Sequence, residues 1–339
     1  MKPKKKPKLK ASSRKKSVKS KQILAVTMFF VWGGATIACV VMTFFYYTYP
    51  ATKNSKQALV AGENSVLWYR PVLKSSTFLN PQVSAEAGIL IDADSAEILW
   101  AKNQNQPRSV ASLTKLVTSL AFLKTNPNLQ EFFKVPSNFN NDGKELVESG
   151  DSISSLKLTS GDKITYKDLL FSALISSANN SALALANKIG EGQNLASQLT
   201  TFAKNSGAIN ANFNEGSGLD SGNIASAMDM SILLNVALKN EIISQALNLP
   251  SYTFQTQNGQ RKTVVSTDKL LNSDGYQVMG GKTGYLKEAG YNLAIKAIKN
   301  NHNLILVLLG CPTTDDRFAG ADSLLKWGFD GHDWLAQRQ

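Results

Sequence analysis

Ser112-Leu113-Thr114-Lys115 opens a run in which Leu113, Leu116, Val117, Leu120 and Leu123 recur at helical spacing. Residues at i and i+3 share a helix face, so the Ser112 hydroxyl and the Lys115 amine can meet. That is a minimal nucleophile-and-base unit. An S-x-x-K match occurs by chance in many proteins, and a surface helix explains one on its own about as well. Its weight comes from two elements that follow in order, Ser177-Ala178-Asn179 and Lys282-Thr283-Gly284, at separations of 65 and 105 residues.

A serine hydroxyl is a poor nucleophile until a base takes its proton. The chain has only two histidines. His302, in Asn300-Asn301-His302-Asn303, reads as a turn, and His332 reads as part of a tail. A Ser-His-Asp triad and a metal centre are therefore not expected. Lysine is the remaining candidate base, and it needs a pKa lowered by burial or by a nearby cation. Lys115 lies on an apolar helix, and Lys282 could supply the cation. Ser112 near the helix N-terminus places backbone N–H groups beside developing negative charge.

Ser177 and Asn179 fall where a helix breaks. A hydroxyl and an amide there suit proton relay and holding of a substrate amide. Ser221-Gly222-Asn223 is a competing S-x-N, in a loop setting after Gly216-Ser217-Gly218-Leu219-Asp220. Lys282 and Thr283, read at a strand end, suit a carboxylate. Gly284 admits a substrate backbone closely enough for strand addition. Gly281-Lys282-Thr283 also invites a phosphate-loop reading. That motif needs four residues between its first glycine and the Gly-Lys pair, whereas five separate Gly275 from Gly281.

Around these motifs, Ala87–Asp92 and Ala96–Ala101 read as strands, Ser109–Lys124 as a helix, and Thr165–Ile189 as two helices with a polar break. Ala225–Leu238 reads as a helix, Tyr276–Gly281 as a strand, Tyr291–Ile298 and Leu304–Cys311 as a hairpin, and Asp315–Phe329 as a closing helix. Strands at both ends with helices between predict an α/β (α+β) domain whose antiparallel sheet is built from both ends of the domain around a helical middle.

Eleven basic residues and no acid lie in residues 1–21, against a net charge of +12 for the whole chain. The charge belongs to a tail and is no nucleic-acid footprint. Ile23 to Tyr47 carries no charge over 25 residues. As a helix that is about 37 Å, enough for a bilayer core of about 30 Å. The run ends in aromatic residues, Phe44 to Tyr49, rather than a small-residue cleavage site. We expect an N-terminal transmembrane helix at 22–48, with the tail 1–21 cytoplasmic and the rest extracytoplasmic. A long signal peptide, or lipidation at Cys39, are the alternatives. The expected organisation continues with a linker at 49–84, a catalytic domain at 85–333 and a C-terminal tail at 334–339. Cys39 and Cys311, the only cysteines, build no intradomain disulfide or metal site.

The three motifs match the S-x-x-K, S-x-N-type and K-T-G set of penicillin-binding proteins and serine β-lactamases. From about Ala85 to Phe329 the chain resembles the D-alanyl-D-alanine carboxypeptidase family of low-molecular-mass penicillin-binding proteins. The resemblance rests on Ala111–Thr118, Leu174–Ala182, Gly218-Leu219-Asp220, Gly281–Tyr285 with Ala289–Leu293, and Arg317-Phe318 before Leu324–Phe329. It implies a β-lactamase/transpeptidase-like fold. Ser112 would be the acylated nucleophile, Lys115 its base, and Ser177 and Asn179 the relay and substrate holder. Lys282 and Thr283 would bind the substrate carboxylate with help from Arg317, and the backbone N–H groups of Ser112 and Tyr285, beside Gly284, would form an oxyanion hole.

The implied substrates are peptidoglycan stem peptides ending in D-Ala-D-Ala, with β-lactams as covalent inhibitors and no cofactor. The chain departs from the family in having Asn180 where Asp is common. Its anchor is N-terminal, and it ends about ten residues after Phe329, where many relatives carry a β-domain. That leaves a D,D-endopeptidase open beside the carboxypeptidase. A serine β-lactamase would need a water-activating glutamate among Glu191, Glu215 and Glu241, none in the expected Glu-x-x-Leu-Asn context. A catalytically silent wall-binding protein is opposed by the intact Ser112, Lys115 and Lys282.

Overall fold

Along Leu304–Leu309 successive side chains enter opposite faces of one sheet, and both faces are buried. Leu304, Leu306 and Leu308 pack with Leu324, Leu325, Trp327 and Phe329. Ile305, Val307 and Leu309 pack with Ile89, Val117, Met230 and Leu233. A strand covered on both sides reads as an unbroken apolar run, which is why this one is visible in the sequence.

The computed structural model describes residues 67–75, 80–146, 153–190 and 194–338. The expected tail at 1–21 and span at 22–48 lie outside the described residues. Among the described residues no helix is long and apolar enough to cross a membrane.

The strands are β1 (Leu67–Leu73), β2 (Ala87–Asp92), β3 (Ile98–Lys102), β4 (Arg108–Ser109), β5 (Phe132–Lys134), β6 (Lys163–Thr165), β7 (Ile224–Ala225), β8 (Ser251–Gln255), β9 (Arg261–Val265), β10 (Gln277–Leu286), β11 (Gly290–Lys299), β12 (His302–Cys311) and β13 (His332–Arg338). The α-helices are α1 (Thr114–Lys124), α2 (Tyr166–Ile175), α3 (Asn179–Ile189), α4 (Leu195–Asn205), α5 (Ala227–Leu238), α6 (Glu241–Leu247) and α7 (Thr314–Gly331). The main sheet is antiparallel, in the order β10-β11-β12-β2-β3. Strands from the two ends of the domain thus meet at the β12–β2 seam, where Leu306 faces Leu90. Helix α7 covers one face and α5 lies against the other. This is the mixed α/β architecture with a helical middle that the element order predicts.

Capping boxes fix two helices of the helical middle, α2 and α5. Thr165 Oγ1 accepts from Asp168 N at 3.1 Å, and Asp168 Oδ2 accepts from Thr165 N at 3.0 Å, a capping box at the start of α2. Ser226 and Asp229 form the same box on α5. Asp168 Oδ1 also accepts from Tyr252 Oη at 2.8 Å, which pins β8 to the start of α2.

The expected linker and tail boundaries need correction. β1, inside the expected linker 49–84, pairs antiparallel with β13, from Leu67↔Arg338 to Leu73↔His332. Residues 334–338 are therefore strand rather than tail. Trp334 holds the ribbon down. Its Nε1 donates to Asp92 Oδ2 at 2.9 Å, and its ring stacks on His302 at 4.1 Å. The ribbon escapes a sequence reading because Pro71 interrupts Leu67–Leu73 and neither strand alternates apolar with polar residues. The two histidines are corrected with it. His302 begins β12, and His332 is buried at the end of α7, its Nδ1 2.9 Å from Gly328 O.

Candidate active site

Helix α1 begins after a short 3₁₀ turn, Ala111–Leu113, and Ser112 sits in that turn. Lys115, one turn on, is fully buried. Its Nζ lies 2.7 Å from Ser112 Oγ and 2.7 Å from Asn179 Oδ1, and it also meets the Ser217 carbonyl oxygen. Three acceptors match the three donors of an ammonium. A neutral amine in the same place could turn a lone pair to Ser112 Oγ, at 2.7 Å, and accept its proton. Burial brings the Lys115 pKa down to about 7, with the Glu215 carboxylate working against it. Lys282 is not the cation that lowers Lys115, contrary to what the motif set suggests. The main cause is burial, and it is Lys282 that is pushed down, by its own burial first and then by the Lys115 and Arg317 charges.

Helix α2 stops at Ile175, and α3 starts at Asn179. Ser177 lies in the kink with φ 61°, a left-handed conformation uncommon for a non-glycine and typical of strained functional positions. The kink turns Ser177 Oγ to Lys282 Nζ, which donates to it at 2.9 Å. The competing Ser221 is exposed in a loop away from this pair, and Asn223 is a brace rather than a site group. Asn180, the departure from the common Asp, is buried. Its Nδ2 donates to Phe139 O and Leu156 O, and its Oδ1 accepts from Leu156 N. A carboxylate could not make those two donations.

Lys282-Thr283-Gly284 lies inside β10 rather than at its end, because β10 runs on to Leu286 against β11. A Cβ on Gly284 would stand 2.9 Å from Val110 O and 3.0 Å from Ser112 N, so only glycine lets β10 lie this close to the nucleophile turn. Thr283 Oγ1 is 2.6 Å from Thr267 Oγ1. Buried Arg317, on α7, donates from one guanidinium nitrogen to Gly284 O and Asn292 O at 3.2 Å each, bracing the backbone beneath Tyr285. Tyr285 is half exposed and stacks on Tyr291 at 4.3 Å.

Ser112, Ser177, Asn179, Thr283, Gly284, Tyr285 and Arg317 line one cleft of about 480 Å³. Lys115 and Lys282 lie beneath it, joined to Ser112, Asn179 and Ser177 by the bonds above. The sequence reading missed Ile153, Ser154 and Thr267 on the cleft wall. Ser154 acts through its carbonyl, which accepts from Asn179 N at 2.8 Å and from Asn179 Nδ2 at 3.1 Å. Neither histidine lines the cleft, and among the described residues no cluster of potential metal ligands exists.

A five-stranded antiparallel sheet with helices on both faces, beside a buried serine–lysine pair, is the arrangement of a transpeptidase-like fold. The crystal structure of the Streptomyces K15 DD-transpeptidase superposes with a TM-score of 0.68 at 25% identity, covering 74% of this chain and 99% of that one. A family model for D-alanyl-D-alanine carboxypeptidase matches residues 74–313, and the chain belongs to that family of serine peptidases. Among curated relatives it is 32% identical over 281 residues to the D-alanyl-D-alanine carboxypeptidase DacC of Escherichia coli K12, covering 80% of this chain. It is 26% identical over 263 residues to the D-alanyl-D-alanine endopeptidase of the same organism, covering 75% of this chain. The chain spans 68% of the length of DacC, 64% of the related carboxypeptidase DacD and 80% of the endopeptidase.

Proposed function

We propose that this chain is a membrane-anchored serine D,D-carboxypeptidase that removes the terminal D-alanine from peptidoglycan stem peptides through an acyl-enzyme on Ser112. The observation that carries this is the buried Lys115 amine 2.7 Å from Ser112 Oγ. Ser112 Oγ attacks the D-Ala-D-Ala carbonyl and passes its proton to Lys115. The developing oxyanion meets the N–H groups of Ser112 and Tyr285, where one donor is worth about 2.7–4 kcal/mol. Ser177, bonded to Lys282, gives its proton to the leaving amine and is restored by the proton that Lys115 took, which leaves Lys115 neutral again. Water then attacks the ester, Lys115 takes its proton, and that proton passes to Ser112 Oγ as the ester breaks. The peptide lies along the open edge of β10 as an added strand. Its terminal carboxylate meets Thr283 and the Lys282 and Arg317 charges, and that anion favours the charged form of Lys282 that burial opposes. β-Lactams would be trapped as the same ester.

The test is incubation with a fluorescent penicillin and with a peptide ending in D-Ala-D-Ala. Stable labelling together with D-alanine release supports the reading. Penicillin turnover without D-alanine release indicates a lactamase, and absence of labelling rejects both. A D,D-endopeptidase is the second reading, supported by the 26% identity to the Escherichia coli endopeptidase. Release of monomers from cross-linked muropeptides would select it. The anchor at 22–48 is tested by deleting residues 1–48, which should move the protein from the membrane to the soluble fraction.

Two further outcomes are expected. Lys115 must be neutral to take the Ser112 proton. With its pKa near 7, the second-order rate of acylation should fall tenfold per pH unit below about 7 and level off above it. A profile flat through that range would exclude Lys115 as the titrating base. Lys282→Gln should raise KM for a D-Ala-D-Ala peptide by about 10–100-fold, the loss of one charged hydrogen bond. The corresponding peptide amide should be affected far less, and equal losses on both would remove the carboxylate from Lys282.

A further inference from the structure

Lys115 ends against a backbone carbonyl, Ser217 O, in a stretch outside helix and strand. One carboxylate shapes that stretch. Glu215 Oε1 accepts from Gly218 N at 2.5 Å, Leu219 N at 2.9 Å and Asn223 Nδ2 at 2.9 Å. Glu215 Oε2 accepts from Ser217 N at 2.5 Å and Ser217 Oγ at 2.6 Å. Asn223 Nδ2 also reaches Thr114 Oγ1 at 3.2 Å, tying the knot to the start of α1. With both oxygens held by these donors, Glu215 is not placed to activate a deacylating water.

We propose that Glu215 is a positioning residue for acyl transfer: by gathering the Ser217, Gly218 and Leu219 amides it aims the Ser217 carbonyl at Lys115 Nζ, and it places a carboxylate on the same loop as that contact. This rests on Lys115 being the base for Ser112. The charges around Lys115 are few. From the loop comes Glu215, and from β10 comes Lys282, itself faced by Arg317 of α7 and by Asp268. Ser112, Asn179 and Ser217 contribute neutral groups. Asp220, in the same loop, turns instead to Gly222 N at 2.7 Å and Asn214 Nδ2 at 3.1 Å. Burial disfavours the Lys115 ammonium, and Glu215 opposes that effect. Removing the Glu215 charge leaves burial unopposed, so the base form extends to lower pH.

The test is the pH profile of acylation of the full chain by a fluorescent penicillin. Glu215→Gln should move the acid limb to lower pH by about one pH unit. It should also lower the plateau, because its amide N–H₂ confronts the Ser217 N–H. Asp220→Asn should leave the limb in place. Glu215→Asp, which keeps the charge on a shorter arm, should lower the plateau and leave the limb near its original pH. An unmoved limb in Glu215→Gln, or an equal shift in Asp220→Asn, overturns the proposal. If Glu215→Gln does not fold, Glu215→Asp decides: a limb displaced downward overturns the proposal, and a limb in place with a lowered plateau supports it. Lys115→Ala is the separate control. Acylation that survives it with the acid limb intact removes the base reading, whatever Glu215 does.

Discussion

Ser112→Ala takes no label from a fluorescent penicillin and releases no D-alanine, while its thermal midpoint stays within a few degrees of the parent. The hydroxyl is the group that forms the ester, and no neighbour replaces it. Loss of the nucleophile in a serine peptidase costs about 10⁶-fold in kcat. Stability is spared because Ser112 is only partly buried and the Lys115 amine keeps Asn179 Oδ1 and the Ser217 carbonyl. Mass spectrometry of the penicillin adduct checks the site. Stoichiometric adduct on Ser177 in the variant would show that the roles of the two serines are reversed.

Gly218→Ala should lower the acylation rate about 100-fold and the thermal midpoint by several degrees, although residue 218 touches no substrate. Gly218 has φ 84°, and a Cβ there would stand 2.0 Å from Ala111 O and 2.8 Å from Ser112 N. Left-handed backbone alone costs an alanine about 1–2 kcal/mol. The larger effect is displacement, because the atoms that must move are those of the peptide unit that aims Ser112. A misplacement of about 1 Å at a reacting group costs about 10²-fold. Gly161→Ala is the comparison. It has φ 83° with nothing within 4 Å of its Cβ, so it carries the backbone cost without the clash. Its acylation rate should match the parent. Equal rates in the two variants would show that the approach of Gly218 has no hold on the nucleophile.

Ser112, Lys115, Ser177 and Lys282 were legible in the sequence because chemistry calls for their types, whereas Tyr285 and Arg317 followed only from the family resemblance. A hydroxyl without a usable histidine needs Lys115, and a proton relay needs another hydroxyl. The strands at 87–92 and 304–311 were legible because burial on both faces writes them as apolar runs. What stayed hidden is mostly backbone. Ser217 and Ser154 act through their carbonyls, which any residue supplies, so no letter marks them. The Glu215 knot is invisible in the sequence because bonds from a carboxylate to amides two to four residues on have no counterpart in a motif. The β8–β9 hairpin did carry a signal. Asn258-Gly259 lies between a strand with alternating Tyr252 and Phe254 and one with Val264, a recognised hairpin pattern. The β1–β13 ribbon carried a weak one, because Pro71 breaks an apolar stretch that has no alternation.

Among the described residues β10 pairs with β11 alone, so the strand that carries Lys282, Thr283 and Gly284 is an edge. Unpaired strand edges are where chains stick to one another and begin to aggregate. Here the open stretch is short. The register shifts between Val278 and Gly280, Asp268 crowds Gly281, and the turn carrying Ser112 closes on Gly284. What is left admits the last residues of a peptide but gives a second copy too few consecutive hydrogen bonds to dock a whole strand. The edge that we propose takes a peptide is thus a poor template for strand pairing between copies.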